Sequence, residues 1–272
     1  MTAQTPDYSV PDYLKQLRLD DKNFVVLGAG QGIGEATTHA LAQAGARVLC
    51  VDREEELAVR IAKAVNGAHF AGDVTSRDNM QRAFDAAVRA FGPVHGVVDI
   101  IGMADLRPLV EFDDAAWERQ FDVVVRHAFL AVQIGAELIA EAGGGTITFV
   151  GSVAGDRIVP RETAYASSKA ALHHFVRGAG VEYAPRGVRV NAVSPGFVRT
   201  PRLNQMLGEE AWRAVGESIP IGRAAMPAEV AGPILFLASD LSAHMTGQIV
   251  VVDGGSTNLT PFPKVFGAPK KS

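Results

Sequence analysis

Phe24-Val25-Val26-Leu27-Gly28-Ala29-Gly30-Gln31-Gly32-Ile33-Gly34 is the stretch that decides the fold. A short β-rich run enters a glycine turn, and a helical pattern over residues 35–44 leaves it. Strand, glycine turn and helix in that order are the context a dinucleotide site requires. Glycines let the backbone approach a pyrophosphate, and a helix N-terminus offers free N–H groups and the positive end of a dipole. The spacing reads best as G-x-x-x-G-x-G on Gly28, Gly32 and Gly34, with Gly30 extra. A glycine-rich turn with no ligand is the alternative, and the next strand argues against it.

That strand covers residues 46–51, and Asp52 follows it. A carboxylate at the tip of the second strand can hydrogen-bond both hydroxyls of an adenosine ribose and would repel a 2′-phosphate. The expectation is NAD rather than NADP. Arg53 beside it argues the other way, since an arginine can accept a 2′-phosphate.

Outward from this unit, apolar runs alternate with helical patterns. Strands are expected at 23–27, 46–51, 68–71, 95–101, 145–150, 188–193 and 248–252. Helices are expected near 33–44, 54–65, 77–91, 114–141, 163–184, 202–216 and 227–239. Such alternation predicts an α/β fold: a Rossmann-type, doubly wound parallel sheet of about seven strands with helices on both faces. A lead over residues 1–20, in which 11–19 form a short helix, precedes a single domain at 21–256, and 257–272 forms a tail. That tail is read either as a loose end or as an arm across a subunit contact.

Tyr165-Ala166-Ser167-Ser168-Lys169 carries the chemistry. One helical turn separates the tyrosine from the lysine, so both project from the same face. An ammonium near a phenol lowers the phenol pKa and lets it pass a proton near neutral pH. Alone, Y-x-x-x-K is common on exposed helices. Ser152, at the end of the apolar run 145–150, adds a hydroxyl where open α/β sheets place their sites. Ser152 is assigned to the substrate oxygen, Tyr165 to proton transfer and Lys169 to tuning the phenol. Ser167 and Ser168 read as helix filler.

With these residues in place, the chain resembles the short-chain dehydrogenase/reductase family, in its compact single-domain branch, over residues 17–256. The resemblance rests on Gly28-x-x-x-Gly32-Ile33-Gly34, Gly72-Asp73-Val74, Ser152, Tyr165-x-x-x-Lys169, Val190-Asn-Ala-Val-Ser-Pro195-Gly196 and Val251-Val-Asp-Gly-Gly255. It implies a nicotinamide-dependent oxidoreductase acting on an alcohol or carbonyl. Carried over position by position, it implies cofactor contacts at Gly28, Gln31, Gly32, Ile33, Gly34, Asp52, Arg53, Asp73, Val74, Gly102, Tyr165, Lys169, Pro195, Gly196, Val198 and Thr200. Asp73 and Val74 would edge the adenine, Lys169 would hold the nicotinamide ribose, Pro195-Gly196 would lie along the carboxamide, and Thr200 would lie near the phosphates. Related enzymes pair the helices expected at 114–141 and 163–184 across a two-fold axis, and a homotetramer is expected.

The departures are specific. Asp99-Ile100-Ile101-Gly102 stands where the family has Asn-Asn-Ala-Gly, Val124 stands at its active-site asparagine, and Leu27 replaces a threonine. In the family that asparagine holds a water linking the lysine to solvent. Valine has neither donor nor acceptor, so the proton route must differ. Two functions stay open: an NAD-dependent enzyme interconverting a secondary alcohol and its ketone, and a low-turnover nucleotide-binding scaffold or sensor on the same fold. His127 is either packing or a substitute for the lost water site. Asp99 is expected to be a structural acceptor, and the His173-His174 pair a subunit contact.

Specificity is expected from the loop after Gly102, the turn 153–162 and the segment 197–225. The last carries Phe197, Leu203, Met206, Leu207, Trp212, Val215 and Ile219, an apolar lid for a moderately hydrophobic, cyclic or steroid-like alcohol. Arg199 and Arg202 could instead meet an acid or a coenzyme A phosphate, although such arginines more often stay on the surface or touch the cofactor phosphate.

Composition sets the outer limits. The 272 residues suit one large α/β domain. Net charge is −4 and no basic stripe points to nucleic acid. No run is expected to span a membrane, and the polar N-terminus is unlike a signal peptide. A cytoplasmic protein is expected. The single cysteine, Cys50, reads as a buried, inert thiol, and no residue set suggests a metal.

Overall fold

The computed structural model describes residues 9–259. Its centre is a seven-stranded, wholly parallel sheet in the order β3-β2-β1-β4-β5-β6-β7. The strands are β1 (Asn23–Leu27), β2 (Arg47–Asp52), β3 (Ala68–Ala71), β4 (Gly96–Asp99), β5 (Gly145–Val150), β6 (Val188–Pro195) and β7 (Ile249–Val252). The order reverses between β1 and β4, and the crevice at such a switch point is where this architecture binds ligands.

Helices α1 (Tyr13–Gln16), α2 (Ile33–Gln43), α3 (Glu55–Ala64) and α4 (Arg77–Phe91) accompany the first half of the sheet. In the second half come α5 (Asp114–Phe121), α6 (His127–Glu141), α7 (Thr163–Tyr183), α8 (Pro201–Met206), α9 (Glu209–Ser218) and α10 (Pro227–Ala238). Strand alternation sorts the core. Val25, Leu27, Val97, Ile147 and Phe149 face α4, α6 and α7, while Val26, Val48, Val98 and Val193 face α2 and α10. Burial on both faces explains why the central strands read as continuous apolar runs.

Three expectations need correction. The helix expected over 114–141 is broken: a π turn, Asp122–Arg126, joins α5 to α6. Such turns carry one extra residue inside a helix and occur at functional sites. The helix expected over 202–216 is likewise two, because Leu207 and Gly208 leave the helical region between α8 and α9. The third concerns membranes. By length and apolar composition alone, Asp114–Glu141 is long enough to cross one. Its apolar residues, among them Ala128, Leu130, Ala136 and Ile139, are instead spent on the sheet.

At the N-terminus, α1 buries none of its residues, and Leu19 beyond it anchors the segment in the core. Of the expected lead and tail, residues 1–8 and 260–272 lie outside the described part; the described end is a short 3-10 turn, Ser256–Asn258.

Candidate active site

The glycine turn is dictated by backbone contact. Gly28 and Gly32 have φ of +82° and +62°, a region that disfavours any side chain. A Cβ on Gly34 would lie 1.9 Å from Gly28 O, and one on Gly30 would lie 2.6 Å from Asp52 Oδ2. Asp52 braces the turn: its carboxylate accepts Gly30 N–H at 2.9 Å and Glu54 N–H at 3.1 Å. Arg60 on α3 clamps it from the far side, donating to Gly30 O at 2.7 Å while paired with Glu35. No side chain caps the start of α2 at Gly32, so its first-turn N–H groups face outward.

A cleft of about 710 Å3 opens over this turn. Gly28, Asp52, Arg53, Asp73, Val74 and Gly102 line it, as do Met103, Asp105, Gln120, Arg202 and Met206. Six expected cofactor residues thus meet in one place. Thr200 lies against Gly32, about 3.5 Å from a Cβ built there, and caps α8 through Leu203 N–H. Pro195 ends β6, and Gly196 packs against Asp253. Gln31, Gly32, Ile33 and Gly34 form the turn and the start of α2 below the cleft. Val198 buries its side chain in the core, away from the cleft lining.

Ser152, Tyr165 and Lys169 gather beside Gly102. Ser152 follows β5 and opens a short 3-10 turn, accepting Ala154 N–H at 3.2 Å. Lys169 is 2% exposed, and its Nζ donates to Val150 O at 2.8 Å. That Nζ lies 5.8 Å from the Tyr165 ring centre, and a Cβ on Gly102 would approach it to 2.8 Å. The expected lowering of the phenol pKa does not appear. Burial pushes Tyr165 up to about 12, with the Ser152 hydrogen bond pulling it down and Glu162 adding to the rise. Burial also brings Lys169 down to about 8, against the pull of Asp99. Desolvation dominates both shifts because both groups sit inside the protein.

Asp99 is more than the acceptor expected at a strand end. It accepts Ile101 N–H at 3.0 Å and pairs with His127 Nδ1 at 2.7 Å, both side chains being buried. The His173-His174 pair splits: His174 is exposed, whereas His173 lies inside, against Gly151 and Gly155. Its Nδ1 is 3.1 Å from Asp156 Oδ2, without hydrogen-bond alignment, and burial holds its pKa down. His173 is therefore not a subunit contact but backs the serine turn. Arg199 is committed to Glu209 and Asn204 and stacks over Trp212, which leaves Arg202 as the lid arginine facing the cleft. Trp212 and Ile219 are buried beneath the lid, while Phe197 and Met206 stay exposed. Cys50 is buried, its thiol pushed up to about 12 by desolvation. Ser168 hydrogen-bonds back to Tyr165 O at 2.8 Å, as a helix serine does.

Sequence reasoning missed Gln120. It is 3% exposed, accepts Asp105 N–H and donates to Met103 O, both at 2.9 Å. It thereby pins the loop that follows Gly102. No spacing rule marks it; its partners lie 15 and 17 residues away.

A family profile described as enoyl-(acyl carrier protein) reductase matches residues 28–257. The chain belongs to the short-chain dehydrogenase/reductase family. It is an oxidoreductase of the alcohol dehydrogenase/reductase kind. It is 38% identical to galactitol 2-dehydrogenase (L-tagatose-forming) of Cereibacter sphaeroides, over 90% of this chain and 99% of that one. A 7α-hydroxysteroid dehydrogenase complexed with NADH and 7-oxo glycochenodeoxycholic acid superposes with a TM-score of 0.84 at 31% identity, over 89% of this chain and 96% of that one. A gluconate 5-dehydrogenase of Burkholderia cenocepacia, in complex with NADP and tartrate, gives 0.86 at 28%, over 92% and 100%.

Proposed function

We propose that this member of the family is an NAD-dependent oxidoreductase that interconverts a secondary alcohol and its ketone, using Ser152, Tyr165 and Lys169. The observation that carries the reading is the meeting of these three residues beside Gly102, which itself lines the cleft over the glycine turn. The residues fit a dinucleotide. Gly28 lines the cleft with no side chain to hold a ligand off the backbone, the uncapped start of α2 suits a phosphate, and Asp52 stands at the tip of β2. When bound, NAD supplies the hydride acceptor. The protein's own task is to orient the carbonyl and manage one proton. Ser152 holds the substrate oxygen, and Tyr165 gives or takes its proton. Lys169, as an ammonium, stabilises the tyrosinate that forms.

NAD is preferred because the Asp52 carboxylate disfavours a 2′-phosphate. Equilibrium titration with both cofactors tests this; tighter NADP binding would show that Arg53 sets the preference. A moderately hydrophobic substrate is supported by one feature of the three specificity segments: each presents an exposed apolar side chain, Leu106, Ile158 and Phe197. A turnover screen at 340 nm of cyclic secondary alcohols against sugar alcohols decides between the two substrate classes. No turnover on either, with NAD still bound, favours the scaffold reading, for which the high phenol pKa and the apolar Val124 speak.

Exposed Phe129 on α6 and Val251 on β7 support assembly through these elements into a tetramer. A light-scattering mass of one chain at micromolar concentration refutes it. Residues 21–256 act as a single unit, so one cooperative melting transition is expected.

A further inference from the structure

Lys169 is a buried cation with one hydrogen-bond partner among the described side chains and carbonyls, Val150 O. An ammonium has three protons to donate. Val124, where the family's asparagine would stand, is fully buried and offers no polar atom. Burial lowers the pKa of Lys169, and Asp99, at the end of β4, acts against that fall. Alternation along that strand turns Val97 and Asp99 toward α6 and α7, the face from which Lys169 enters. Asp99 pairs in register with Phe149, so it stands one residue from the level of Val150 on the neighbouring strand. Asp99 is itself 1% exposed, and a carboxylate so buried needs partners.

Its hydrogen bonds show how it is held. One oxygen takes Ile101 N–H, and the other takes His127 Nδ1. His127 Nε2 lies 3.2 Å from Val123 O, inside the π turn. Both ring nitrogens therefore lie against acceptors, an arrangement in which a doubly protonated ring would have a hydrogen for each. Asp99 thus stands between the His127 ring on α6 and the Lys169 side chain on α7.

We infer that Asp99 is a positioning residue: a buried counter-charge that keeps Lys169 an ammonium, with His127 fixing the carboxylate and taking up part of its charge. The inference rests on the catalytic reading of Ser152, Tyr165 and Lys169. It also accounts for the two departures together. Where an amide is absent at Val124, the strand supplies a full charge at Asp99, and the histidine one helical turn beyond Val124 tempers it. The other ionisable groups facing this site are Tyr165 and Glu162 at the start of α7, and His173 and Arg177 farther along it. Asp156, in the serine turn, faces His173.

The test reads Lys169 without cofactor or substrate. The protein is labelled at lysine Cε with carbon-13, and the Lys169 resonance, assigned by its loss in Lys169→Arg, is followed by NMR from neutral to alkaline pH. In Asp99→Asn, which keeps the acceptor but not the charge, the midpoint falls by about one pH unit or more. In His127→Gln, which keeps a donor to Asp99 but cannot carry charge, the midpoint rises. A purely structural pair would not move the two variants in opposite directions. An unmoved midpoint in Asp99→Asn, or a fall in His127→Gln, overturns the inference. If Asp99→Asn does not fold, the sign in His127→Gln decides alone. Where the protein turns over a ketone, the fall of kcat with rising pH moves to lower pH in Asp99→Asn, with KM little changed. A wild type inactive on every alcohol, with both midpoints moving as stated, sinks the catalytic reading and leaves the counter-charge standing. An active wild type with unmoved midpoints sinks the counter-charge alone.

Discussion

The glycine turn after β1 and the end of β4 touch each other: a Cβ on Gly28 would meet Ile101 at 3.4 Å and Ile100 at 3.6 Å. They are built on different principles. In the turn, residue identity follows from sterics, since a methyl group on Gly34 would strike the Gly28 carbonyl and one on Gly30 the Asp52 and Leu57 side chains. At the end of β4, identity follows from a side-chain partnership across 28 residues, Asp99 with His127. The first kind of constraint acts between neighbours in sequence and tolerates one residue type. The second lets both partners change, provided they change together.

Loss of function from the shared centre should be the largest effect. Tyr165→Phe removes the proposed proton donor beside both regions, and turnover should drop by about 10²–10⁴-fold, with binding of the proposed NAD retained in equilibrium titration. If turnover survives on any accepted substrate, the two regions do not converge on Tyr165.

The turn should be the more brittle partner. Gly34→Ala forces a methyl group onto Gly28 O, and overpacking of this kind costs about 1–3 kcal/mol. Calorimetry should show a lower Tm, and NAD affinity should collapse with it. A variant that binds NAD normally would mean that the turn can shift, and the contrast would blur.

At the other region, Val124→Asn restores the family's amide to a site adapted to valine. An unpaired buried amide costs about 1–3 kcal/mol, so a lower Tm with a modest change in rate is expected. A large gain in rate with unchanged Tm would point instead to an impaired proton route. Gln120→Ala should be mildest. It frees the loop at Met103 and Asp105, raising KM several-fold while kcat holds; a kcat loss without a KM change would place Gln120 in the chemistry.

These contrasts also set what could be read from residues alone. The parallel sheet was legible because its strands are short apolar runs with helical patterns between them, and 23–27, 68–71 and 145–150 coincide with observed strands. The turn and Tyr165-x-x-x-Lys169 were legible because their partners are local. The π turn was not, since an extra residue within a long apolar helix leaves the hydrophobic pattern nearly intact. Nor were the phenol's raised pKa, the clamp by Gln120, or His173 behind the serine turn. Each depends on burial or on contacts that only the folded chain creates. Asp99 was recognised as a polar anchor, but its partner at His127 lies beyond any spacing argument.

The π turn at Asp122–Arg126 has a bearing on how this chain can vary in length. Each residue of an α-helix advances the direction of its side chains by ~100°. The π turn takes up its extra residue within one turn, so α5 and α6 keep the phase of one continuous helix on either side of it. Removing that residue would restore a regular helix and leave Gln120 against the loop after Gly102 and His127 beside Asp99. The turn is thus a place where the chain can lose a residue without moving what flanks it, and a single-codon deletion within it should spare both contacts.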